Sequence, residues 1–132
     1  MKHHAPRFLK LVNDTRQHVR ETTVEAIYQR LASGERLTLI DVREDHEWNE
    51  SRIPGSLHLS KGIAERDIES RFPDTGEELI LYCGGGFRSV LTAWTLGQMG
   101  YTAVISMDGG FRGWKEAGYP LDTQPPAGKD SK

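Results

Sequence analysis

The sequence predicts an α/β fold: an open, mainly parallel sheet with helices on both faces. Three short, mostly apolar segments, at residues 37–42, 79–82 and 103–106, have the length and composition of strands covered on both faces. Segments with helical spacing of apolar residues alternate with them, which favours parallel strands joined by right-handed helical crossovers. With 132 residues the chain is long enough to bury the core of one domain.

The N-terminal region is expected to contain two helices before the first strand. Apolar residues between charges over Phe8 to Val19 predict a short amphipathic helix inside an N-terminal extension, residues 1–21. Thr22 and Glu25 have the spacing of a capping box, so a second helix is expected to begin after Thr22. Gly34 is expected to end that helix.

The remaining elements are delimited by glycine and proline. In chain order we expect the strand at 37–42, one or two helical turns at 44–49, a turn at 53–55, a short strand at 56–59, a helix at 62–72, a turn at 73–76, the strand at 79–82, a helix at 88–99 ended by Gly100, the strand at 103–106, a turn at 108–110 and a closing helix at 111–117. Residues 22–122 would then form one domain, and the proline-containing tail, 123–132, is expected to be disordered.

Composition and charge restrict the class of protein. Hydrophobic residues make up 36% of the chain, which is ordinary for a soluble globular protein. The net charge of -2 argues against a general nucleic-acid binder. No apolar run approaches the roughly 20 residues of a membrane span. The single cysteine, Cys83, cannot form an intrachain disulfide, so the cytoplasm is the expected location.

The most informative stretch is the one that follows the strand at 79–82. Cys83 ends this strand, Gly84 to Gly86 follow, and Arg88 and Ser89 open a helical pattern. Successive amides above a helix start form an anion-binding concavity, and together with the Arg88 charge they favour thiolate over thiol. A lone cysteine is more often a small buried hydrophobe. Its place beyond a strand's carboxyl end, where sites form in α/β sheets, indicates a nucleophile instead.

Three separated motifs resemble those of the rhodanese domain. They are Ile40 to Glu44 with Glu47-Trp48 and Arg52 to Leu59; Cys83 to Ser89 as the active-site loop; and Met107 to Trp114 with Gly118 to Pro120. The resemblance covers about residues 22–122 in the family's order. The chain is similar to a single-domain rhodanese of bacterial type preceded by one extra helix.

The resemblance implies a sulfurtransferase that works through a cysteine persulfide. A small donor such as thiosulfate or a persulfide supplies the sulfur, and cyanide, a thiol or a protein accepts it, with no cofactor and no metal. The residue roles it implies are Cys83 as nucleophile, Gly84, Gly85, Gly86, Phe87, Arg88 and Ser89 as the substrate-binding loop, and Asp41 and Arg43 as supporting groups. A protein that donates or accepts sulfur is a further candidate partner; a nucleic acid or a membrane is not.

The loop departs from the family pattern in one respect. Many thiosulfate-using relatives have a cation directly after the cysteine, where this chain has Gly84. Arg88 is then the only cation of the loop, and Phe87 adds an apolar wall, which suits a less charged persulfide. Arg88 either binds substrate or pairs with a carboxylate to hold the loop. For Asp41 and Arg43 a structural ion pair at the strand end is favoured over a role in fixing the loop.

Three alternative functions can be compared with sulfur transfer. A Cys-Arg phosphatase or arsenate reductase has one more residue between cysteine and arginine, so the shorter loop here is not expected to surround a phosphate. A non-enzymatic interaction module would not need Cys83 and its glycines. A sulfur carrier loaded by a partner protein cannot be distinguished by sequence from a free-standing enzyme. Neither His46 nor His58 is expected to act as a base for Cys83.

Overall fold

The computed structural model describes residues 4–123 and shows a five-stranded parallel sheet with six helices. The elements are α1 (Pro6–Arg16), β1 (Arg20–Thr23), α2 (Val24–Ala32), β2 (Leu39–Asp41), α3 (Asp45–Glu50), β3 (Leu57–His58), α4 (Lys61–Arg71), β4 (Leu79–Tyr82), α5 (Arg88–Gln98), β5 (Val104–Asp108) and α6 (Gly110–Glu116). The expected α/β class with a parallel sheet is confirmed, and most elements lie within one or two residues of their predicted bounds.

The strand order β1-β5-β4-β2-β3 places β4 at the centre of the sheet. β4 pairs in parallel with β2 on one side, Leu81 lying opposite Ile40, and with β5 on the other, Leu81 lying opposite Ser106. All three strands end at the same edge. The residues that follow their carboxyl ends are therefore brought together there.

The side chains of β4 alternate between two hydrophobic cores. Leu79, Leu81 and Cys83 belong to the core that α4 and α5 cover. Ile80 and Tyr82 belong to the core on the opposite face, which α2 and α6 cover. Since successive strand residues point to opposite faces, Cys83 continues the alternation onto the α5 side of the sheet.

The prediction of a helix cap at Thr22 is wrong by one residue, because a strand was missed. Arg20 to Thr23 form β1, an edge strand that pairs with β5. Its side chains are mostly exposed, so it carries no apolar pattern, and backbone pairing with β5 holds it in place. Thr22 lies inside this strand, and the Thr23 side chain instead accepts the hydrogen bond from the Ala26 N–H.

The first helix is shorter than predicted and packs on the body of the fold. α1 ends at Arg16, so Val19, expected in the helix, lies beyond it. Val12 of α1 is fully buried. The boundary expected between residues 21 and 22 falls within β1, whereas the tail from residue 124 lies outside the described residues. Over residues 4–123, none of the helices has the length and apolar character that crossing a membrane requires.

Candidate active site

The Cys83 sulfur lies at the carboxyl end of β4, where two backbone amides point at it. The Gly86 N–H donates to Sγ at 3.2 Å and the Ser89 N–H donates at 3.3 Å. The thiol in turn donates to Ser89 Oγ at 3.5 Å, and that hydroxyl is hydrogen-bonded to Ser106 Oγ at 2.8 Å. The two N–H groups stabilise negative charge on the sulfur without any proton transfer.

The start of α6 fixes the direction of the loop's peptide groups. The Phe111 N–H donates to the Cys83 carbonyl at 2.7 Å, and the Arg112 N–H donates to the Gly84 carbonyl at 2.9 Å. With these carbonyls held on the α6 side, the following amides are free to point at the sulfur. The anion cradle therefore depends on an element that is distant in sequence.

Two glycines allow this close approach of loop and helix. Gly86 has φ +98°, and a β-carbon there would lie 3.1 Å from the Gly109 nitrogen. Gly110 has φ +57°, and a β-carbon there would lie only 2.5 Å from the Cys83 carbonyl oxygen. A side chain at either position would push the loop away from α6.

Arg88 pairs with Glu47 of α3, as in one of the two roles left open by the sequence. Its guanidinium donates to the two carboxylate oxygens at 2.9 and 3.3 Å. Burial alone would lower the pKa of Arg88, but the Glu47 hydrogen bond and the Cys83 charge raise it. Burial would likewise raise the pKa of Glu47, yet hydrogen bonds from Arg88 and the Glu44 backbone lower it to about 2. Arg88 thus ties the loop to α3 as one half of an ion pair.

Arg112 is the site residue that the sequence analysis missed. Its guanidinium lies over the loop, since a β-carbon at Gly85 would be 2.8 Å from Nη1. Among residues 4–123 it has no ion pair and no side-chain hydrogen bond. The only signal in the sequence is its position in the motif after β5, and proximity to Cys83 arises from the α6 contact described above.

Residues from the N-terminal segment form one wall of the site. The Phe87 ring lies 4.8 Å from the His4 ring and 6.3 Å from the Phe8 ring, between centroids. The Arg16 guanidinium lies 5.5 Å from the Phe87 ring centre. The wall expected from Phe87 is thus continued by side chains from α1 and by His4, two residues before it.

Asp41 and Arg43 form a buried ion pair at the end of β2. The Arg43 guanidinium donates to both Asp41 oxygens at 2.8–3.0 Å and to the Ser51 carbonyl. Burial would lower the pKa of Arg43, but Asp41 raises it. The pair does not contact Cys83. The Arg43 guanidinium lies 4.2 Å from the centre of the Phe111 ring. The Phe111 N–H in turn donates to the Cys83 carbonyl, so Phe111 connects Arg43 to the loop.

A cavity of about 440 Å³ opens above the Cys83 sulfur. His46 lines it, whereas His58 stacks on Trp48 and contacts the Arg43 carbonyl. In the part of the chain that the structure describes, no three metal-binding side chains are grouped to hold a metal ion. The arrangement presents one polarised sulfur, two amide donors and an arginine to a small anionic or thiol reagent.

The chain is similar in sequence to a known family and to several known proteins. The Rhodanese-like domain profile matches residues 23–117. The chain is 34% identical over 96 residues to the "Putative sulfur carrier protein YrkF" of Bacillus subtilis, covering 71% of this chain and only 50% of that protein. It is 33% identical over 93 residues to the thiosulfate sulfurtransferase GlpE of Actinobacillus pleuropneumoniae, covering 70% of this chain and 84% of that one.

A solved structure with the same architecture comes from Rhodopseudomonas palustris. That protein, described as one of unknown function and a possible tyrosine phosphatase, has a TM-score of 0.74 and 27% identity. The likeness covers 92% of this chain and 99% of that one, so it includes at least part of the region before residue 23. The family profile spans β4, the Cys83 loop and the start of α6, the three parts that build the site. The chain belongs to the family of rhodanese-like domains and is of the general sulfurtransferase type.

Proposed function

We propose that this protein is a sulfurtransferase that moves a sulfane sulfur from a small donor to a thiophilic acceptor through a Cys83 persulfide. The observation that carries the proposal is the pair of N–H groups, from Gly86 and Ser89, that point at the sole thiol of the chain. Relatives named as sulfurtransferases support it. A free thiol also fits a reducing compartment such as the cytoplasm.

The reaction proceeds in two displacement steps. The Cys83 thiolate attacks the outer sulfur of thiosulfate, a sulfur–sulfur bond forms to Cys83, and sulfite leaves with the electron pair of the bond that breaks. An acceptor such as cyanide then attacks the outer sulfur of the persulfide. The new carbon–sulfur bond forms as the persulfide bond breaks, and the electron pair returns to Cys83 as thiolate. The amides of Gly86 and Ser89 point at Sγ, which carries the negative charge before the first step and regains it in the second.

Mass spectrometry of the intact protein tests the Cys83 intermediate. Incubation with thiosulfate or a small persulfide should add the mass of one sulfur atom, and cyanide or dithiothreitol should remove it. Cys83→Ser should gain no mass and release no thiocyanate. Turnover of thiosulfate with cyanide by Cys83→Ser would rule out the proposed mechanism.

The name of one relative, the sulfur carrier protein of Bacillus subtilis, supports a second candidate, a sulfur carrier. A carrier would take sulfur faster from a persulfidated protein than from thiosulfate. Single-turnover loading of Cys83 from thiosulfate, from a small persulfide and from a persulfidated protein separates the two functions. Fast loading from the small donors followed by repeated turnover favours the enzyme, whereas fast loading only from the protein favours the carrier.

The description of the Rhodopseudomonas palustris structure keeps phosphate-ester hydrolysis as a further candidate. Four residues separate Cys83 from Arg88, and Arg88 is already paired with Glu47. We therefore expect aryl phosphates to be left untouched. Hydrolysis of an aryl phosphate that is lost in Cys83→Ser would establish the phosphatase instead.

A further inference from the structure

The site contains two arginines, and they differ in what holds them. Arg88 lies in the loop, but both of its outer nitrogens bind the Glu47 carboxylate. The Glu47 carboxylate therefore largely cancels the positive charge that Arg88 would present to a reagent in the cavity. Arg112 lines the same cavity and, within residues 4–123, has no carboxylate partner.

The backbone of α6 fixes where the Arg112 side chain begins. Because its N–H donates to the Gly84 carbonyl, the side chain starts beside the loop and extends over Gly85. The absence of a side chain at Gly85 leaves room for it: a β-carbon at Gly85 would lie 2.8 Å from Nη1. The place above the loop that a side chain from residue 85 would fill is thus taken by a cation from α6.

We propose that Arg112 is the residue that selects anionic sulfur donors, binding the sulfonate or carboxylate end of the donor while its sulfane sulfur faces Cys83. This inference rests on the proposed sulfur transfer. Guanidinium presents several donors in a planar fork that suits such oxyanions. It also changes the expectation from the sequence, in which Gly84 and Phe87 favoured a less charged donor.

Alkylation of Cys83 tests the charge effect without requiring sulfur transfer. Iodoacetate is an anion and iodoacetamide is neutral, and both react with the same sulfur. The ratio of their rates should fall about fivefold in Arg112→Gln, the effect of one unscreened charge a few ångströms away. Arg112→Lys should restore most of the ratio. Lys115→Gln, which removes the same charge from the same helix, should stay close to wild type.

Steady-state kinetics test the same residue on donors. Arg112→Gln should lower kcat/KM for thiosulfate about tenfold, mainly through KM, as expected for loss of one charge-assisted contact. With cysteamine persulfide, which has an ammonium group in place of the oxyanion, the same variant should be as fast as wild type or faster. Added salt should reduce the wild-type preference for thiosulfate and have little effect on the variant.

The outcomes separate this inference from the proposed function. An alkylation ratio and a thiosulfate KM unchanged in Arg112→Gln would overturn the role of Arg112, even if sulfur transfer is confirmed. Failure of the wild-type protein to load sulfur would overturn the sulfurtransferase instead, while the alkylation ratio would still report on Arg112. An equal fall of both alkylation rates in Arg112→Gln would assign it a structural role and also contradict the inference.

Discussion

Gly110 determines how close the Cys83 loop can lie to α6. Its positive φ and the 2.5 Å that would separate a β-carbon from the Cys83 carbonyl leave no room for a side chain. The contact matters for chemistry because the next residue's N–H binds that carbonyl. A residue without any functional group thereby controls the direction of the amides that face the sulfur.

Gly110→Ala should lower stability and activity together. We expect about 1–3 kcal/mol less free energy of unfolding, from the strained φ and displaced backbone. Gly97→Ala is a matched control, because a β-carbon there meets nothing within 4 Å and α5 would gain up to about 1 kcal/mol. Denaturant unfolding and thiosulfate turnover measure both effects. Normal turnover and stability in Gly110→Ala would show that the contact is not needed.

At the scale of elements, α3 also holds the loop, through Glu47 and Arg88. Glu47 accepts the Glu44 N–H within the capping box that starts α3, and its carboxylate also binds Arg88 at the start of α5. One side chain therefore stabilises the start of a short helix and links it to the catalytic loop. Its charge is what makes both contacts strong.

The Glu47 contact should make stability depend on pH in the acid range. The folded-state pKa of about 2 lies below the ordinary 4.5, since the Arg88 and backbone hydrogen bonds outweigh burial. The stabilisation is therefore complete above about pH 4.5 and is lost as the pH falls toward 2. Glu47→Gln, which keeps an acceptor but no charge, should reduce the free energy of unfolding at pH 7 and flatten its acid dependence. If the free energy of unfolding changed with pH in the same way in both proteins, Glu47 would not be the group responsible for the acid dependence.

At the scale of the whole molecule, α1 is part of the folded unit although the family profile begins at residue 23. Val12 is fully buried, Arg16 pairs with Glu21 of β1, and Phe8 reaches the Phe87 ring of the loop. These contacts connect α1 to the sheet edge and to the site. The segment before the family domain thus contributes to the core and to one wall of the cavity.

Val12→Ala tests whether α1 contributes to global stability. Loss of two buried methyl groups should cost roughly 2 kcal/mol of unfolding free energy. Leu11→Ala is the control within the same helix, since Leu11 is 53% exposed and its truncation should cost little. Equal midpoints and slopes in denaturant for both variants would show that α1 is an independent appendage.

The sequence by itself determined the α/β class, most element positions and the place of Cys83. Apolar strand segments and the positive-φ glycines Gly34 and Gly100 are local signals, and local signals suffice for these features. Only the tertiary structure decided that Arg20 to Thr23 form a strand, because its mostly exposed residues carry no apolar pattern and the strand forms through backbone pairing with β5. The same holds for the two arginines of the site. Arg88 is paired with a carboxylate because α3 lies beside the loop, and Arg112 lies over the loop because α6 packs against it. No local sequence pattern shows which distant helix contacts the loop.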